Sequence, residues 1–241
     1  MVNRNSGWAP IYGAWEPEAQ RVFIRLIKQG DVVYDLGANT GINSLLFSKL
    51  VGTGGKVICF EPIPENIKEI ESLRDLNRVA NFHIINKAVG NACCTAAFNV
   101  PNNDNKVGSL RRFTDGKIRV IKIEETTLDE EINRGLALPD FIKMDVEGSE
   151  SEVLEGLSKS IDKSWPIFSV ELHIPEQDTK VGRFFKEHGY SLYRLNNESA
   201  RRYAKQKELL FKVTDMEAGW PDVHGVWGTV IAIPAPKKVI L

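Results

Sequence analysis

The chain has 241 residues, of which 42% are hydrophobic and 26% charged, and its formal net charge is −1. No apolar run approaches the roughly 20 residues that a membrane span needs, and a charge so near zero gives no long-range attraction for a nucleic acid. The three cysteines have neither metal-ligand nor disulfide spacing. The first residues show no export signal, so we expect a cytoplasmic protein.

The N-terminal part is predicted to be a helical cover or lid over residues 1–30, ahead of a single domain at 31–241. Trp15–Gln29 has helical periodicity, with Val22, Phe23 and Leu26 on one side. The aromatic, glycine-punctuated segment before it either folds over a site as a lid or covers the edge of the core.

Beyond residue 30, apolar strands alternate with amphipathic helices, which predicts an α/β fold with a parallel sheet covered on both faces. One helix begins at Pro64, another near Glu150, and a third runs through Thr179–His188. The predicted strands are Val32–Leu36, Lys56–Glu61, Phe82–Lys87, Phe141–Asp145 and Ile167–Leu172.

Two regions depart from this alternation. Residues 95–126 have the pattern of an inserted hairpin, with a polar turn at Asn102–Asn105 and a strand at Lys117–Ile123. Near the C-terminus, Ser191–Leu195 and Gly228–Ile233 are predicted to be two further strands, separated by a charged irregular segment.

The turn after the first strand reads Asp35-Leu-Gly37-Ala-Asn39-Thr-Gly41 and leads into a helix that contains Asn43. Small residues here allow a ligand to approach the backbone at the carboxyl end of the sheet. The dinucleotide fingerprint would need glycine at positions 39 and 42, which are Asn and Ile, so a nicotinamide cofactor loses its main support. The turn resembles the first motif of the class I methyltransferases, and Asp35 suits the ammonium group of a methionine moiety.

The second strand ends at Glu61-Pro62, 20 residues beyond Gly41. A carboxylate at this strand end can accept hydrogen bonds from both hydroxyls of a ribose. The alternative is a solvated acid at the end of a strand. Together with the turn, Glu61 favours an adenosine ligand.

A later segment, Lys143-Met-Asp145-Val-Glu147-Gly148, resembles the Lys-x-Asp-x-Glu-Gly sequence of the FkbM-type methyltransferases, and the resemblance extends over roughly residues 30–175. It implies a Rossmann-like, three-layer sandwich with a mostly parallel seven-stranded sheet and an antiparallel C-terminal strand. It also implies S-adenosylmethionine as the cofactor. The residues assigned to the cofactor are Asp35, Gly37, Asn39, Gly41, Asn43, Glu61, Pro62, Lys87, Ala88 and Asp145. Of these, Lys87 and Ala88 match the positions that flank adenine in the class, although Lys87 has the alternative of a plain surface lysine.

A hydroxyl acceptor must lose its proton, so a general base is expected near the cofactor methyl group. His173 or Asp145 is the predicted base, with Glu147 orienting the acceptor. The alternatives are that His173 is a strand-end histidine hydrogen-bonded to backbone, or that Glu171, which shares its strand face, fixes its tautomer. No metal ligand set is predicted, although Asp145 and Glu147 with a neighbour would permit magnesium.

The leading hypothesis is O-methylation of a hydroxyl on a small molecule, a sugar or a polyketide-like acceptor. A non-catalytic nucleotide-binding module and a nicotinamide-dependent oxidoreductase remain as alternatives. A nucleic-acid substrate is not expected, because the sequence has no Asn/Asp-Pro-Pro-aromatic element to receive a flipped base. The oligomeric state stays open.

Overall fold

The computed structural model describes residues 16–101, 108–110, 118–173, 175–195, 210–213 and 228–237. Its helices are α1 (Pro17–Leu26), α2 (Ile42–Val51), α3 (Pro64–Leu76), α4 (Leu128–Asn133), α5 (Glu150–Glu155), α6 (Ile161–Ser164) and α7 (Pro175–Glu187). Its strands are β1 (Val32–Leu36), β2 (Lys56–Phe60), β3 (Phe82–Ile85), β4 (Ala88–Val89), β5 (Cys94–Pro101), β6 (Ile118–Thr126), β7 (Phe141–Met144), β8 (Ile167–Leu172), β9 (Tyr190–Leu195), β10 (Leu210–Lys212) and β11 (Gly228–Pro234).

The main sheet has the order β10-β9-β11-β8-β7-β1-β2-β3. Strands β3, β2, β1, β7 and β8 are mutually parallel, whereas β11 runs antiparallel to both β8 and β9. The mostly parallel seven-stranded sheet and its antiparallel C-terminal strand are therefore confirmed. The short strand β10, which the sequence pattern did not reveal, extends the edge beyond β9.

The inserted hairpin is also present, and it belongs to a second, smaller sheet of order β4-β6-β5. Strands β5 and β6 pair antiparallel from Cys94–Glu125 to Pro101–Ile118, so β6 continues past the predicted end at Ile123. The predicted polar turn at Asn102–Asn105 lies outside the described residues. Ser109 bridges back to Asn99 and ties the far side of the insertion to β5.

Strand alternation sends side chains to both faces of the main sheet, and each face has its own core. One face buries Tyr34, Ile142 and Phe168 against α5 and α7. The opposite face buries Val33 and Phe141, among others, against α1 and α2. Fully burying each such large side chain contributes about 1.5–3 kcal/mol, so both helical layers are fixed on the sheet.

The helix α1 is one of these covers. Phe23 lies edge-on to Phe47 of α2 at 5.1 Å and to Phe141 of β7 at 5.8 Å. The lid predicted for the residues ahead of α1 falls outside the described residues. Among the helices that the structure describes, none is long and apolar enough to cross a membrane.

The register of the parallel strands also places polar side chains side by side. Asp35 of β1 pairs with Lys143 of β7, and Lys143 pairs with Ser169 of β8. By alternation, Asp145, Glu171 and His173 continue along the same face toward the carboxyl end of the sheet. A polar row thus crosses the sheet edge where ligands bind in open α/β folds.

Candidate active site

The turn after β1 is held by backbone hydrogen bonds to the neighbouring strand. The amides of Gly37 and Ala38 both donate to the carbonyl of Phe60, at 3.0 and 3.1 Å, and Gly41 N–H donates to Ala38. Asn39 has a left-handed φ of 51° and Gly41 a φ of 80°. A Cβ on Gly37 would lie 1.9 Å from the carbonyl oxygen of Asp145, so only glycine lets the strand ends of β1 and β7 approach this closely.

Glu61 is fixed in place by three donors. Its Oε2 accepts from Asn39 N–H at 2.8 Å, and its Oε1 accepts from Ile63 N–H at 3.0 Å and from the Asn66 amide at 3.1 Å. Burial raises the pKa of Glu61 to about 7, although these hydrogen bonds act in the opposite direction. Since a carboxylate has about four acceptor positions, Glu61 keeps at least one for a ligand hydroxyl.

A cavity of about 520 Å³, including space open to solvent, lies above these strand ends. Eight of the predicted site residues line it: Gly37, Asn39, Glu61, Pro62, Lys87, Ala88, Asp145 and Glu147. Phe98, Gly108 and Leu110 of the insertion form another part of its wall, which the sequence pattern did not assign to the site.

Lys87 is not a plain surface lysine. Its Nζ lies 2.7 Å from Glu131 Oε1, and the hydroxyl of Thr126 donates to the same oxygen at 2.7 Å. The side chain is thereby held at the cavity wall beside Ala88, which is buried.

Asp35 lies beneath the turn, is fully buried and does not line the cavity. Ser44 donates to its Oδ2, and Lys143 Nζ lies 3.7 Å from its Oδ1. Burial raises the pKa of Asp35 in spite of these two partners. Asn43, on α2, is also buried and away from the cavity lining.

Lys143 belongs to the Lys-x-Asp-x-Glu-Gly motif, but the sequence alone assigned it no role. It is buried, and its Nζ donates to Asp145 Oδ2 at 3.0 Å. Burial acts to lower the pKa of Lys143, but Asp145, Asp35, Glu16 and Glu171 raise it above its usual value. Two carboxylates, those of Asp35 and Asp145, therefore lie within 3.7 Å of one ammonium group, and Glu16 and Glu171 act on it through their charge. The i, i+2 spacing of Lys143 and Asp145 on one strand was the signal for this contact.

The predicted catalytic residues meet at the carboxyl ends of β7 and β8. His173 Nε2 lies 3.5 Å from Asp145 Oδ1 and 3.7 Å from Glu147 Oε2. Asp145 and Glu147 line the cavity, whereas His173 lies behind them and is 8% exposed. Glu147 has a left-handed φ of 55°, and Ser109 of the insertion donates to its carbonyl at 2.7 Å.

The ring of His173 is held by Glu150, whereas the alternative raised from strand alternation was Glu171. His173 Nδ1 lies 2.9 Å from Glu150 Oε1, which also accepts from Gly148 N–H at 3.0 Å. Burial acts to lower the pKa of His173, but the bond to Glu150 and the charges of Asp145 and Glu147 raise it to about 9.

Glu171 and Glu16 complete the acidic surroundings. Burial, followed by repulsion from Asp145 and Glu16, raises the pKa of Glu171 to about 7. Burial also raises the pKa of Glu16, which immediately precedes α1 and interacts with Lys143. We call Glu16, Asp145, Glu147, Glu171 and His173 the acidic edge.

The segment that contains this site matches a known protein family. Residues 35–192 match the model of the methyltransferase FkbM domain. The chain belongs to the FkbM methyltransferase family. It is accordingly an S-adenosylmethionine-dependent methyltransferase, and the nicotinamide alternative is set aside. Over 172 residues it is 25% identical to the hexuronic acid methyltransferase AglP of Haloferax volcanii, a match that covers 69% of this chain and 67% of that protein.

Solved structures have the same fold. The methyltransferase FkbM from Methylobacillus flagellatus superposes with a TM-score of 0.52 at 15% identity, covering 89% of this chain and 50% of that one. An rRNA methylase from Streptococcus thermophilus gives a TM-score of 0.50 at 11% identity, covering 97% and 98%. These likenesses concern the fold alone, and the expected exclusion of nucleic-acid substrates stays a prediction.

The cavity suits S-adenosylmethionine chemically. Glu61 presents a spare acceptor position at a strand end, the Gly37 turn exposes backbone at the mouth, and Ala88 and Phe98 supply apolar wall. When bound, this cofactor supplies an electrophilic methyl group on a sulfonium. The residues that sequence reasoning missed, Lys143, Glu150 and Phe98, either support the acidic edge or close the cavity.

Proposed function

We propose that this methyltransferase transfers the methyl group to an oxygen atom of a small sugar-like acceptor, with a hexuronic acid unit as the first candidate. One observation carries the proposal: two carboxylates, Asp145 and Glu147, line the cofactor cavity at the end of β7. A neutral hydroxyl must lose its proton as its oxygen attacks, and a carboxylate within hydrogen-bond reach can take it. The name of the relative AglP supports a sugar acid as the acceptor class.

The cofactor-binding roles follow the positions in the cavity. Glu61 binds a ribose hydroxyl through its remaining acceptor position, Gly37 and Asn39 bring the turn close to the ligand, and Lys87 and Ala88 flank the adenine. Asp35 and Asn43 lie beneath the Gly37 turn and do not contact the cofactor. The negative charge of Asp35 offsets the positive charge of Lys143, which keeps the turn in position.

On the acceptor side, Asp145 and Glu147 are the proton acceptors, because they reach the cavity and His173 does not. Lys143 holds Asp145 through its Oδ2 and leaves Oδ1 turned toward His173. His173, fixed by Glu150, orients this pair. Most of the rate enhancement expected for methyl transfer is positioning of the two reacting atoms in a dry site.

The test is transfer of labelled methyl from S-adenosylmethionine to a panel of acceptors. The panel contains a glucuronic acid glycoside, the matched neutral glucoside, a polyketide lactone and ribosomal RNA. We expect label on the uronic acid. Mild alkali then separates a methyl ester, which is released, from a methyl ether, which is retained.

Transfer confined to RNA, or to a nitrogen or carbon atom, would contradict the proposal. The Glu147→Gln and Asp145→Asn variants should lose about 10²–10⁴-fold in turnover, the usual contribution of a general base. A wild-type chain that binds the cofactor tightly but methylates nothing in the panel would favour the non-catalytic binding module.

A further inference from the structure

Three ligand-forming side chains of the acidic edge lie together at the ends of two neighbouring strands. Asp145, Glu171 and His173 each offer one donor atom, and these atoms all lie within 4.8 Å of one another. The set combines an imidazole nitrogen with two carboxylate oxygens and comes from separate points of the chain, after β7 and along β8. We propose that Asp145, Glu171 and His173 bind a divalent transition-metal ion beside the cofactor cavity.

The orientation of His173 supports this assignment. Its Nδ1 is engaged by Glu150 at 2.9 Å, which leaves Nε2 as the atom that faces the carboxylates. Metal-bound histidines almost always have such a carboxylate or carbonyl on the second ring nitrogen, because it fixes the tautomer and the ring plane. Glu150 is itself held by Gly148 N–H and is 1% exposed.

The two oxygens of Asp145 have separate tasks. Oδ2 accepts from Lys143 at 3.0 Å, whereas Oδ1 faces His173 Nε2 at 3.5 Å. Ligand atoms around an ion with bonds of about 2.1 Å are roughly 3–4.3 Å apart, so a modest contraction brings the three donors to bonding distance. Glu147 Oε2, at 3.7 Å from the same nitrogen, is in position to serve as a fourth ligand or to face a bound water.

The charges of the acidic edge and its neighbours also favour a bound cation. Asp35, Asp145, Glu16 and Glu171 all act on Lys143, and Glu147 and Glu150 act on His173. Among the described residues of this cluster, two side chains able to carry positive charge face six carboxyl groups. A divalent ion at His173 Nε2 offsets this excess of negative charge.

One imidazole and two or three carboxylates are a set that suits manganese, since carboxylates favour hard ions and imidazole favours the later first-row metals. Asp145 belongs both to the cavity wall and to the metal set. The ion would therefore lie where the acceptor oxygens enter, and it would draw in an anionic sugar acid that the bare carboxylates repel. The attraction of a sugar acid rests on the proposed function, whereas metal binding itself does not.

The experiment is calorimetric titration of the chelator-treated full chain with MnCl₂, with and without S-adenosylmethionine. We expect one ion per chain with micromolar affinity. His173→Ala and Glu171→Gln should remove binding, and Glu150→Gln should weaken it 10–100-fold, the usual effect of losing the partner of a ligating histidine. The exposed histidine variant His83→Ala is the matched control and should bind as the wild type does. Glu171→Gln preserves side-chain shape and guards against a loss caused by misfolding.

Absence of Mn²⁺ binding, or equal binding by the wild type, His173→Ala and Glu171→Gln, would overturn the metal site. Turnover by the chelator-treated enzyme without Mn²⁺ binding would leave the proposed function standing and the metal site refuted. Stoichiometric Mn²⁺ binding without methylation of any acceptor would support the metal site and refute the proposed function.

Discussion

The cofactor cavity and the acidic edge share Asp145 and Glu147 but are built in opposite ways. At the cavity, Glu61 is a single acid satisfied by three nearby donors, two of them backbone amides. At the acidic edge, several carboxyl groups crowd around Lys143 and His173. The three donors pre-organise Glu61 for binding. The acidic edge instead keeps an excess of negative charge that a proton, a metal ion or an acceptor must balance.

Loss of Lys143 should have the largest effect, because it tests whether the acidic edge depends on one buried cation. Lys143→Met leaves Asp35 and Asp145 without their common partner. Removing one member of a buried ion pair costs about 3–5 kcal/mol. We expect that loss in the free energy of unfolding measured with urea.

The exposed lysine variant Lys49→Met is the control for Lys143→Met and should be near neutral. The double variant Asp35→Asn/Lys143→Met should recover part of the stability. If Lys143→Met were as stable as Lys49→Met, the ammonium group would not hold the edge together.

Gly37→Ala should have the next largest effect. It disrupts the close contact between the Gly37 turn, which lines the cavity, and the backbone of Asp145, which belongs to the acidic edge. The added Cβ would meet the Asp145 carbonyl at 1.9 Å, and the φ of +73° is strained for alanine. Overpacking and a left-handed alanine together cost about 2–4 kcal/mol. Thermal unfolding checks this against Gly54→Ala, which has no atom within 4 Å. Equal melting temperatures for the two variants would contradict the close approach.

The sequence predicted the cavity better than the edge. The glycine turn, Glu61 and the strand ends follow from local patterns, and the eight predicted residues that line the cavity illustrate this. The pairing of His173 with Glu150 did not follow, because the loop after β7 turns back through a left-handed Glu147 and Gly148. The burial of Asp35 beneath the turn depends on the β1–β7 register, which a single sequence does not specify.

A smaller effect of pH is expected on the binding of adenosine ligands in the cofactor cavity. The pKa of Glu61 is raised above its ordinary value to about 7, so the carboxylate becomes protonated as the pH falls through that value. Methylthioadenosine contains the adenine and ribose but lacks the α-ammonium and carboxylate groups of the methionine part, so its own charge does not change near neutrality. Its Kd should rise toward roughly tenfold per pH unit below 7 and level off above it.

The Glu61→Gln variant is the control for the pH series, since its amide does not titrate. Its Kd for methylthioadenosine should be flat between pH 6 and pH 8. A wild-type Kd that is equally flat would show that the ribose does not depend on the charged form of Glu61.

The division between cavity and edge is tested most directly by calorimetric titration of S-adenosylmethionine into Glu61→Gln and Glu147→Gln, both checked for folding by circular dichroism. We predict a Kd roughly 10–100-fold higher for Glu61→Gln, the loss expected for hydrogen bonds to a charged acceptor, and an unchanged Kd for Glu147→Gln. Normal affinity in Glu61→Gln, or an equal loss in both variants, would contradict the assignment of Glu61 to the cofactor and the acidic edge to the acceptor.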